Sequence, residues 1–415
     1  MPYLRQNKKK IFNDPVYGFI SIPDELIFDL IEHPYFQRLR RIKQLGLTHL
    51  VYPGALHTRF HHSLGAMFLM QHAINVLRSK GHTITNEEAQ AACIAILLHD
   101  TGHGPYSHTL EQSIVRGLSH EQLSLRFIEE LNSQFGGKLS MARDIFKGVY
   151  PKKVLHQLVS SQLDMDRIDY LKRDSFFTGV SEGAINAERL ITMLEVIDDE
   201  LAVEAKGIYS VEKFIIARRL MYWQVYLHKT VLSAEFMLLN ALKRARQLSR
   251  GGHQLFATPS LAYFLSDFEG ENGGLDQETM RNFAQLDDFD IFTALKVWQH
   301  HPDKVLSSLS QSIVNRNLFG VILQNDAFPE SKTGLILQKI MKKFGLGAEE
   351  AGYLLIHNTT SNHAYHPGQA RINIVYKDGR LVDIQQAYDQ LNISVLSVPV
   401  TKHFLCCPKQ FLAES

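Results

Sequence analysis

The sequence predicts a mainly α-helical protein with a small α+β lobe at its C-terminal end. Through most of the first 250 residues, apolar side chains recur at the spacing of helices that bury one face. Near residue 375 the apolar residues alternate instead, which is typical of strands. Because 415 residues exceed the usual length of one domain, we expect a helical core over residues 1–250 and a helical and α+β lobe over residues 251–415.

Helices of different lengths are expected in the core. Residues 23–45 have a helical period that Pro34 interrupts, so this segment predicts two short helices. Residues 59–77 are too rich in apolar side chains for an exposed helix, and residues 91–98 are apolar on every side, so both segments are expected to be buried. Further helical patterns cover residues 120–133, 152–173, 186–195 and 211–249.

The C-terminal lobe is predicted to contain helices and strands. Helical patterns cover residues 276–298, 303–324 and 331–356. Residues 372–384 alternate on either side of Asp378-Gly379, a dipeptide typical of type I′ hairpin turns, and residues 393–400 form a second β-rich run.

Composition excludes several classes of protein. Hydrophobic residues make up 45% of the chain, and 44 Lys and Arg face 43 Asp and Glu, which excludes a disordered chain and a uniformly basic nucleic-acid-binding protein. Three cysteines, Cys93, Cys406 and Cys407, cannot form a disulfide framework, so a reducing compartment is expected. The longest strongly apolar run is far shorter than the ~20 residues that span a bilayer. We therefore expect a cytoplasmic protein without membrane or nucleic-acid partners.

Histidines are concentrated in one segment. Nine of the 20 lie within 64 residues, from His57 to His120. His62 lies on the predicted central helix and His99-Asp100 ends the buried helix, while Asp166 lies on a later helix. Neutral imidazoles and carboxylates on rigid elements are what a divalent metal needs at a site that cleaves phosphate esters.

Each of these residues also has an ordinary structural explanation. A histidine at a helix C-terminus interacts favourably with the helix dipole, and the aspartates between residues 164 and 174 could form a solvated helix face. Asp100 follows eight apolar residues, however, and a buried carboxylate needs a partner. The joint occurrence of the histidines and aspartates on separate helices favours metal-dependent phosphohydrolysis.

Several longer motifs carry a resemblance to a known family. They are RFHHSLG at 59–65, HDTGHGPYSH at 99–108, SHEQ at 119–122 and DMDRIDY at 164–170, together with NDPVYG at 13–18 and FQRLRRIKQLG at 36–46. In this order they resemble the HD-domain superfamily, and within it the branch of the vertebrate SAM-and-HD-domain dNTP triphosphohydrolase and its bacterial relatives. The resemblance runs from about residue 10 to 250, and no SAM domain is expected before it.

The resemblance implies the reaction and its metal ligands. Enzymes of this branch hydrolyse a dNTP to a deoxynucleoside and intact triphosphate. The ligands of one divalent transition metal, Fe, Mn, Zn or Co, would be His62, His99, Asp100 and Asp166, and Mg²⁺ or Mn²⁺ would accompany the triphosphate. His103 and His120 would contact the α-phosphate. His108 would be the general acid, and Glu111 would orient it.

The resemblance also implies how a dNTP substrate is bound. Arg59, Arg167, Tyr170 and Arg218 would contact phosphates. Gln44 and Asp174 would bind the sugar 3′-OH, Leu45 would exclude a 2′-OH, and Tyr226 would lie near the base. Leu227 and Tyr222 differ from the vertebrate pattern, so base preference does not follow from the sequence.

Regulation is a further implication of the resemblance. Lys10, Glu32, Gln37 and Arg40 match parts of a guanine-nucleotide site through which family members assemble. GTP or a dNTP is therefore an expected activator, and residues near the N-terminus an expected regulatory and oligomerisation segment of a homodimer or homotetramer. The alternative for the basic residues Arg38, Arg40, Arg41 and Lys43 is a solvated helix face.

Two other functions stay open at this point. One is an HD phosphohydrolase or phosphodiesterase that acts on another nucleotide, such as a cyclic nucleotide, a ribonucleotide or an alarmone. The other is a non-enzymatic, nucleotide-sensing protein that keeps the fold.

Overall fold

Helices make up most of the protein and surround one long buried helix in the N-terminal half. This computed structural model describes residues 10–106, 108–115, 117, 119–266, 268, 275–362, 365, 371–387 and 398–412, and for residues 108, 111 and 112 it describes the backbone alone. The helices of the N-terminal half are α1 (Glu25–Glu32), α2 (Pro34–Gln37), α3 (Arg59–Ser79), α4 (Asn86–Leu98), α5 (His108–Ser113), α6 (His120–Gln134), α7 (Ser140–Phe146), α8 (Lys153–Val159), α9 (Met165–Thr178), α10 (Ala187–Thr192), α11 (Ile208–Met221) and α12 (Lys229–Arg250).

The C-terminal half contains shorter helices and part of the sheet structure. Its helices are α13 (Pro259–Ser266), α14 (Gln277–Phe283), α15 (Asp288–Trp298), α16 (Lys304–Val314), α17 (Glu330–Phe344), α18 (Ala348–Gly352) and α19 (Ile384–Ala387). Together with the first half, these helices confirm the prediction of a mainly α-helical chain with an α+β lobe. Across the described part of the chain, every helix is too short or too polar to span a membrane.

Three small sheets lie among the residues that the structure describes. A hairpin pairs β1 (Ile11–Asp14) with β2 (Gly18–Ser21). The second sheet has the order β3 (Leu194–Ile197), β4 (Glu200–Glu204), β7 (Asn373–Val375) and β8 (Leu381–Asp383), and only the β4–β7 pair, in register at Val203 and Ile374, is parallel. The third sheet has the antiparallel order β5 (Gly320–Gln324), β9 (Val400–Cys407) and β6 (Ile356–Asn362).

The central helices form where the sequence predicts them. Residues 91–98 of α4 are buried on every side, and a capping box between Thr85 and Glu88 begins this helix. α4 and α9 both pack against α3. Because α4 ends at His99, its last turn delivers that side chain to the junction with α3 and α9.

Some predicted helices are interrupted or end in strands. Residues 152–173 form two helices because Asp164 begins α9 as a new N-cap, and a π-helical turn at Tyr222–Tyr226 separates α11 from α12. The helical predictions over 186–195, 303–324 and 331–356 are wrong at their C-terminal ends, where β3, β5 and β6 begin, since these ends carry β-branched residues that pair with another strand. The first 250 residues also contain the unpredicted strands β1 to β4.

The predicted C-terminal hairpin is present with a longer turn. β7 and β8 pair around Asp378 and Gly379, and Gly379 has a positive φ of 84°. The connection spans residues 376–380, so it is not the two-residue turn that the dipeptide predicts. Most of the predicted β run at 393–400 lies outside the described residues; β9 begins at Val400.

Two apolar clusters form the interior of the described part of the chain. The first joins α1, α3, α4, α8, α9 and α11 and includes Ile372, Ile374 and Ile384 from near the C-terminal end. The second joins α12 to the helices and strands that follow it. Each cluster includes residues from before and after residue 250. The division of the chain into two domains at that residue therefore stays a prediction.

Candidate metal centre and active site

Three side chains that suit a divalent ion meet where α3, α4 and α9 come together. His62 lies in the first turn of α3, His99 at the end of α4 and Asp166 in the first turn of α9. The Nε2 atoms of the two histidines are 3.3 Å apart, and Asp166 Oδ1 lies 3.0 Å from that of His62 and 3.4 Å from that of His99. The three ligand atoms all lie within 4.8 Å of one another.

Hydrogen bonds on the far side of each imidazole show that this donor set fits a metal. His62 Nδ1 lies 2.7 Å from Asp169 Oδ2, and His99 Nδ1 lies 2.6 Å from the carbonyl oxygen of Ile96. Because both partners only accept, each Nδ1 carries a proton, so Nε2 is the atom that each ring can offer to a cation. Two facing Nε2 atoms beside a carboxylate oxygen suit a shared divalent cation, which would take the place of a proton held there.

The charges around these imidazoles also favour a cation. Burial disfavours a charged ring, but hydrogen bonds with Asp166 and Asp169 outweigh it and raise the pKa of His62 to about 10. Burial would also raise the pKa of Asp166, yet its hydrogen bonds with His62 and His99 hold that pKa below its ordinary value. The carboxylates thus stabilise positive charge at the point where the three ligand atoms meet.

Asp100, the fourth predicted ligand, lies beside this group and is held by other residues as well. Its Oδ1 is 3.3 Å from His99 Nε2 and 3.2 Å from His103 Nε2, and Arg59 donates from Nη1 to its Oδ2 at 2.5 Å. Burial would raise the pKa of Asp100, but Arg59, His99 and His103 hold it well below its ordinary value. Arg59 is therefore linked through Asp100 to His99, one of the three candidate metal ligands.

Three buried charged residues, Asp169, Arg173 and Asp14, form a chain of hydrogen bonds behind His62 that the sequence did not predict. Asp169, which accepts from His62, also accepts from Arg173 Nε and Nη2 at 2.9 and 3.0 Å, and Arg173 Nη1 donates to Asp14 at 2.7 Å. The interpretation of the aspartates in α9 as a possible solvated face is wrong for Asp169, which is fully buried. Its spacing, three residues after Asp166 and four before Arg173, was the available signal.

The loop after α4 brings His103 to the same place. The ring of His103 stacks on that of His120, with centroids 4.0 Å apart. Burial and the nearby charge of Arg59 lower the pKa of His103 to about 3, so this ring is neutral near pH 7. His120 begins α6 and is partly exposed. The structure thus brings two of the predicted phosphate-contacting histidines together.

Arg38 fixes this loop through hydrogen bonds to its backbone. Its guanidinium donates to the carbonyl oxygens of Thr101, His103 and Leu286 at 2.8 to 3.1 Å. The side chain is fully buried, so its interpretation as part of a solvated basic face is wrong. The backbone carbonyls of a buried tight loop need hydrogen-bond donors. This need was the available signal that a basic residue such as Arg38 would be buried against the loop.

The candidate general acid lies on α5. His108 is the first residue of this helix, and Glu111 follows one turn later. Both side chains lie outside the described residues, so their roles stay predictions.

A second buried polar group lies at the C-terminal end of α9. Asp174 accepts from His57 Nε2 at Oδ1 over 2.8 Å and from the Tyr226 hydroxyl at Oδ2 over 2.7 Å. The His57 ring stacks on Phe177, with centroids 4.5 Å apart. Asp174 and Tyr226 were predicted site residues, whereas His57 was not singled out among the clustered histidines.

The predicted sugar-binding residues Gln44 and Leu45 lie next to this group. The backbone N–H of Gln44 donates to the His57 carbonyl at 3.0 Å, which ties the two segments together. The Gln44 side-chain oxygen is buried and has no hydrogen-bond partner among the described residues, so it suits a polar ligand. Leu45 packs against the first apolar cluster.

Three predicted phosphate-contacting residues lie on or near α9. Tyr170 contacts Tyr226, with ring centroids 6.3 Å apart. Arg167 donates from Nε to the Ser161 carbonyl at 2.5 Å, directly beside Asp166 in the chain. Arg218 lies on α11, with its guanidinium 5.9 Å from the centroid of the Tyr222 ring.

Comparisons with known proteins identify the family. Residues 59–174 match the HD domain, and residues 185–255 match the HD associated region. The protein is similar to a phosphohydrolase of known crystal structure from Bacteroides thetaiotaomicron, with a TM-score of 0.94 and 52% identity over 97% of this chain and 100% of that one. It is also 32% identical to the uncharacterized protein YwfO of Bacillus subtilis over 100% of this chain and 95% of YwfO. The chain belongs to the HD-domain family.

The HD-domain match contains all four predicted metal ligands, His62, His99, Asp100 and Asp166. It begins at Arg59 and ends at Asp174, so the resemblance identified from the sequence motifs is confirmed. A further relative, named deoxynucleoside triphosphate triphosphohydrolase SAMHD1 homolog, comes from Dictyostelium discoideum and is 32% identical over 61% of this chain and 52% of its own length. This protein is an HD-domain phosphohydrolase.

The residues predicted to bind a regulatory nucleotide lie before the HD domain. Arg40 donates from Nε to Gln37 Oε1 at 2.8 Å, and Glu32 is the exposed last residue of α1. Lys10 Nζ lies 3.6 Å from the centroid of the Phe28 ring. The structure brings Gln37 and Arg40 into contact, and their regulatory role stays a prediction.

Proposed function

We propose that this HD-domain protein is a metal-dependent dNTP triphosphohydrolase that releases a deoxynucleoside and intact triphosphate. The observation that carries the proposal is the arrangement along α9. Asp166, Tyr170 and Asp174 follow one another at intervals of four residues, which places them on neighbouring positions of one helix face. One end of this face therefore carries a metal ligand and the other the candidate group for the sugar.

His62, His99 and Asp166 would hold the metal, with Asp100 beside them. When bound, a divalent transition metal supplies positive charge that stabilises phosphoryl transfer, and Mg²⁺ or Mn²⁺ accompanies the triphosphate. The Nδ1–H of His62 donates to Asp169, and the Nδ1–H of His99 donates to the Ile96 carbonyl. Both bonds support this assignment, because they leave the two Nε2 atoms as the ligands.

The protein's own side chains would bind and orient the phosphates. Arg59 is already desolvated against Asp100, so it brings a positive charge to the metal group without further reorganisation. His103 is neutral and donates from Nε2 to Asp100, which fixes the direction of its ring, and from there it would contact the α-phosphate. Arg167 and Arg218 add charge for the rest of the triphosphate, and His108, oriented by Glu111, would protonate the 5′ leaving oxygen.

The buried group around Asp174 would select the sugar. Its carboxylate has lone pairs beyond those used by His57 and Tyr226, so it can accept from a 3′-OH. Gln44 offers a second polar atom, while Leu45 offers only apolar surface. A 2′-OH packed there without a partner would cost about 1–3 kcal/mol, or about 5- to 150-fold in preference for dNTP over NTP.

Regulation by a nucleotide is part of the same proposal. Gln37 and Arg40 are in contact at one corner of the surface, and Glu32 and Lys10, which directly precedes the β1–β2 hairpin, would add a carboxylate and an ammonium group to this corner. Such a set offers partners for a guanine edge and for phosphates. A nucleotide bound there between subunits would stabilise a dimer or tetramer by mass action.

A substrate panel tests the proposed activity. Protein loaded with Mn²⁺ is incubated with each dNTP, each NTP and a cyclic nucleotide, and nucleoside, triphosphate, pyrophosphate and monophosphates are resolved by anion exchange. We expect deoxynucleoside and triphosphate in equal amounts from dNTPs and much slower turnover of NTPs. Preferred turnover of a ribonucleotide or cyclic nucleotide would replace the proposal with one of the other HD phosphohydrolase activities.

A further inference from the structure

We propose that Asp14 is a positioning residue for the metal centre, acting through Arg173 and Asp169 on His62. The N-terminal hairpin β1–β2 would then help to set metal affinity. This inference rests on the proposed metal site and goes beyond it, because Asp14 lies outside the HD-domain match at residues 59–174.

The path from the hairpin to the metal ligand is continuous and buried. Its three links are Asp14 Oδ2 to Arg173 Nη1 at 2.7 Å, Arg173 to Asp169 at 2.9 and 3.0 Å, and Asp169 Oδ2 to His62 Nδ1 at 2.7 Å. None of the four residues is more than 7% exposed. Charges in such surroundings are weakly screened, so a change at one end acts on the other.

The hairpin turn fixes the direction of the Asp14 carboxylate. Its Oδ1 accepts from the backbone N–H groups of Val16 and Tyr17, both at 2.9 Å. This arrangement leaves Oδ2 to accept from Arg173. The turn closes at Gly18, whose φ of 77° lies in the left-handed region that favours glycine. A local turn in the hairpin is thereby coupled to the interior of the HD domain.

The middle of the path packs directly on the helix that carries His62. A Cβ atom at Gly65 of α3 would lie 2.1 Å from Asp169 Oδ1 and 2.2 Å from Arg173 Nη2. Only glycine leaves room for this ion pair, and Gly65 is three residues from His62. The ion pair therefore lies directly against the backbone of α3 and cannot shift toward it.

Charge balance explains why Asp14 matters to a metal ligand. Asp14, Arg173 and Asp169 together carry a net charge of −1, and this charge faces the Nδ1–H of His62. A carboxylate partner of this kind raises the basicity of a ligating histidine and fixes its tautomer. Without the charge of Asp14, Arg173 would neutralise Asp169, and the imidazole would become a weaker ligand.

Metal binding tests this inference without relying on turnover. Chelator-treated full-length protein is titrated with Mn²⁺ alone, and unbound Mn²⁺ is followed by electron paramagnetic resonance. Asp169→Asn is expected to weaken binding about 10- to 100-fold, as loss of a direct partner of a ligand usually does. Asp14→Asn keeps the turn acceptor but loses the charge, and it is expected to weaken binding about 3- to 10-fold, since it acts one ion pair further away.

Two additional variants separate positioning from general damage to the hairpin. Asp24→Asn is the matched control, because Asp24 also accepts a backbone N–H, from Ile27, but begins α1 and has no place in the path. It should bind Mn²⁺ as the wild type does. Asp14→Glu restores the charge and should recover part of the affinity, which also guards against misfolding as the cause.

The double variant decides whether the effect passes through Asp169. If it does, Asp14→Asn with Asp169→Asn binds Mn²⁺ about as weakly as Asp169→Asn alone, whereas independent effects would multiply. Wild-type affinity in folded Asp14→Asn, or multiplicative effects in the double variant, would overturn the inference while leaving the metal site intact. If the wild type itself binds no Mn²⁺, the proposed metal site fails, and the inference fails with it.

Discussion

The Nε2 atom of His57 donates to Oδ1 of Asp174 over 2.8 Å, and both side chains are almost completely buried. With the Tyr226 hydroxyl on the other oxygen, this bond fixes the plane of the carboxylate before any ligand arrives. Because the ring also stacks on Phe177, His57 is itself held in place. In the proposed function, His57 therefore positions the Asp174 carboxylate, which would accept a hydrogen bond from the sugar 3′-OH.

Replacement of His57 should affect only substrates that have a 3′-OH. His57→Phe keeps an aromatic ring against Phe177 but leaves Asp174 without one donor, so kcat/KM for dATP should fall about tenfold, the value of one hydrogen bond to a charged group. Turnover of 2′,3′-dideoxyATP should change little. His72→Phe, at a partly buried histidine of α3, is the control. An equal fall for both substrates would show that His57 acts on folding and not on the sugar.

Removal of one carboxylate should empty the metal centre. Asp166→Asn loses a charged ligand, so bound metal, measured by mass spectrometry, and dNTP turnover should both fall. Each should fall more than about 100-fold, which exceeds the usual effect of replacing a residue that only hydrogen-bonds to a ligand. Asp164→Asn is the control two residues away, because an amide still caps α9 there. Metal content and turnover that survive in Asp166→Asn would refute the assignment of this ligand.

Acid should weaken the start of α4 through Glu88. Its carboxylate accepts from the Thr85 N–H, Tyr150 and Lys152 at 2.6 to 3.0 Å. Burial would raise the pKa of Glu88, but these bonds, with that of Lys152 foremost, lower it. The stabilisation is therefore complete above the ordinary glutamate pKa of about 4.3 and is lost as the pH falls through the lower, folded value.

Denaturant unfolding across pH tests that contribution. Glu88→Gln should cost about 1–3 kcal/mol at pH 7 and should show a smaller further loss between pH 5 and pH 3 than the wild type. Glu87→Gln, at the exposed neighbour, should stay close to the wild type at pH 7. The prediction is wrong if Glu88→Gln and the wild type lose stability in parallel on acidification.

The parts of the fold that sequence predicted well are those with strong local signals. The buried segments 59–77 and 91–98, which lie in α3 and α4, were recognised because each is rich in apolar residues. The hairpin β3–β4 was missed because Asp198 and Asp199 take the left-handed conformation of its turn, with φ of 50° and 63°, without the usual glycine.

The same distinction applies to the candidate site. His62, His99 and Asp166 stand in recognisable motifs, so their meeting could be expected. Asp14 and Arg173 are 159 residues apart, and His57 and Asp174 are 117 apart, so no local spacing reveals either pair. Such partners are selected by burial in three dimensions, which requires every buried charge to find a counterpart.

Nucleotide-dependent assembly is expected if the corner around Arg40 binds an activator. Molar mass from light scattering should increase with GTP or a dNTP, and initial rates should rise sigmoidally with that nucleotide. Arg40→Ala should abolish both effects, whereas Arg189→Ala, an exposed arginine on α10, should abolish neither. A constant molar mass with hyperbolic kinetics in every nucleotide mixture would mean that this corner is ordinary solvated surface.

The position of bond cleavage tests the central claim most directly. Mn²⁺-loaded protein is given each dNTP in ¹⁸O-water, and the products are weighed by mass spectrometry. If water attacks the α-phosphorus at the centre formed by His62, His99 and Asp166, the products are triphosphate with one ¹⁸O atom and an unlabelled deoxynucleoside. Deoxynucleoside monophosphate with pyrophosphate, or label in the deoxynucleoside, would contradict the account.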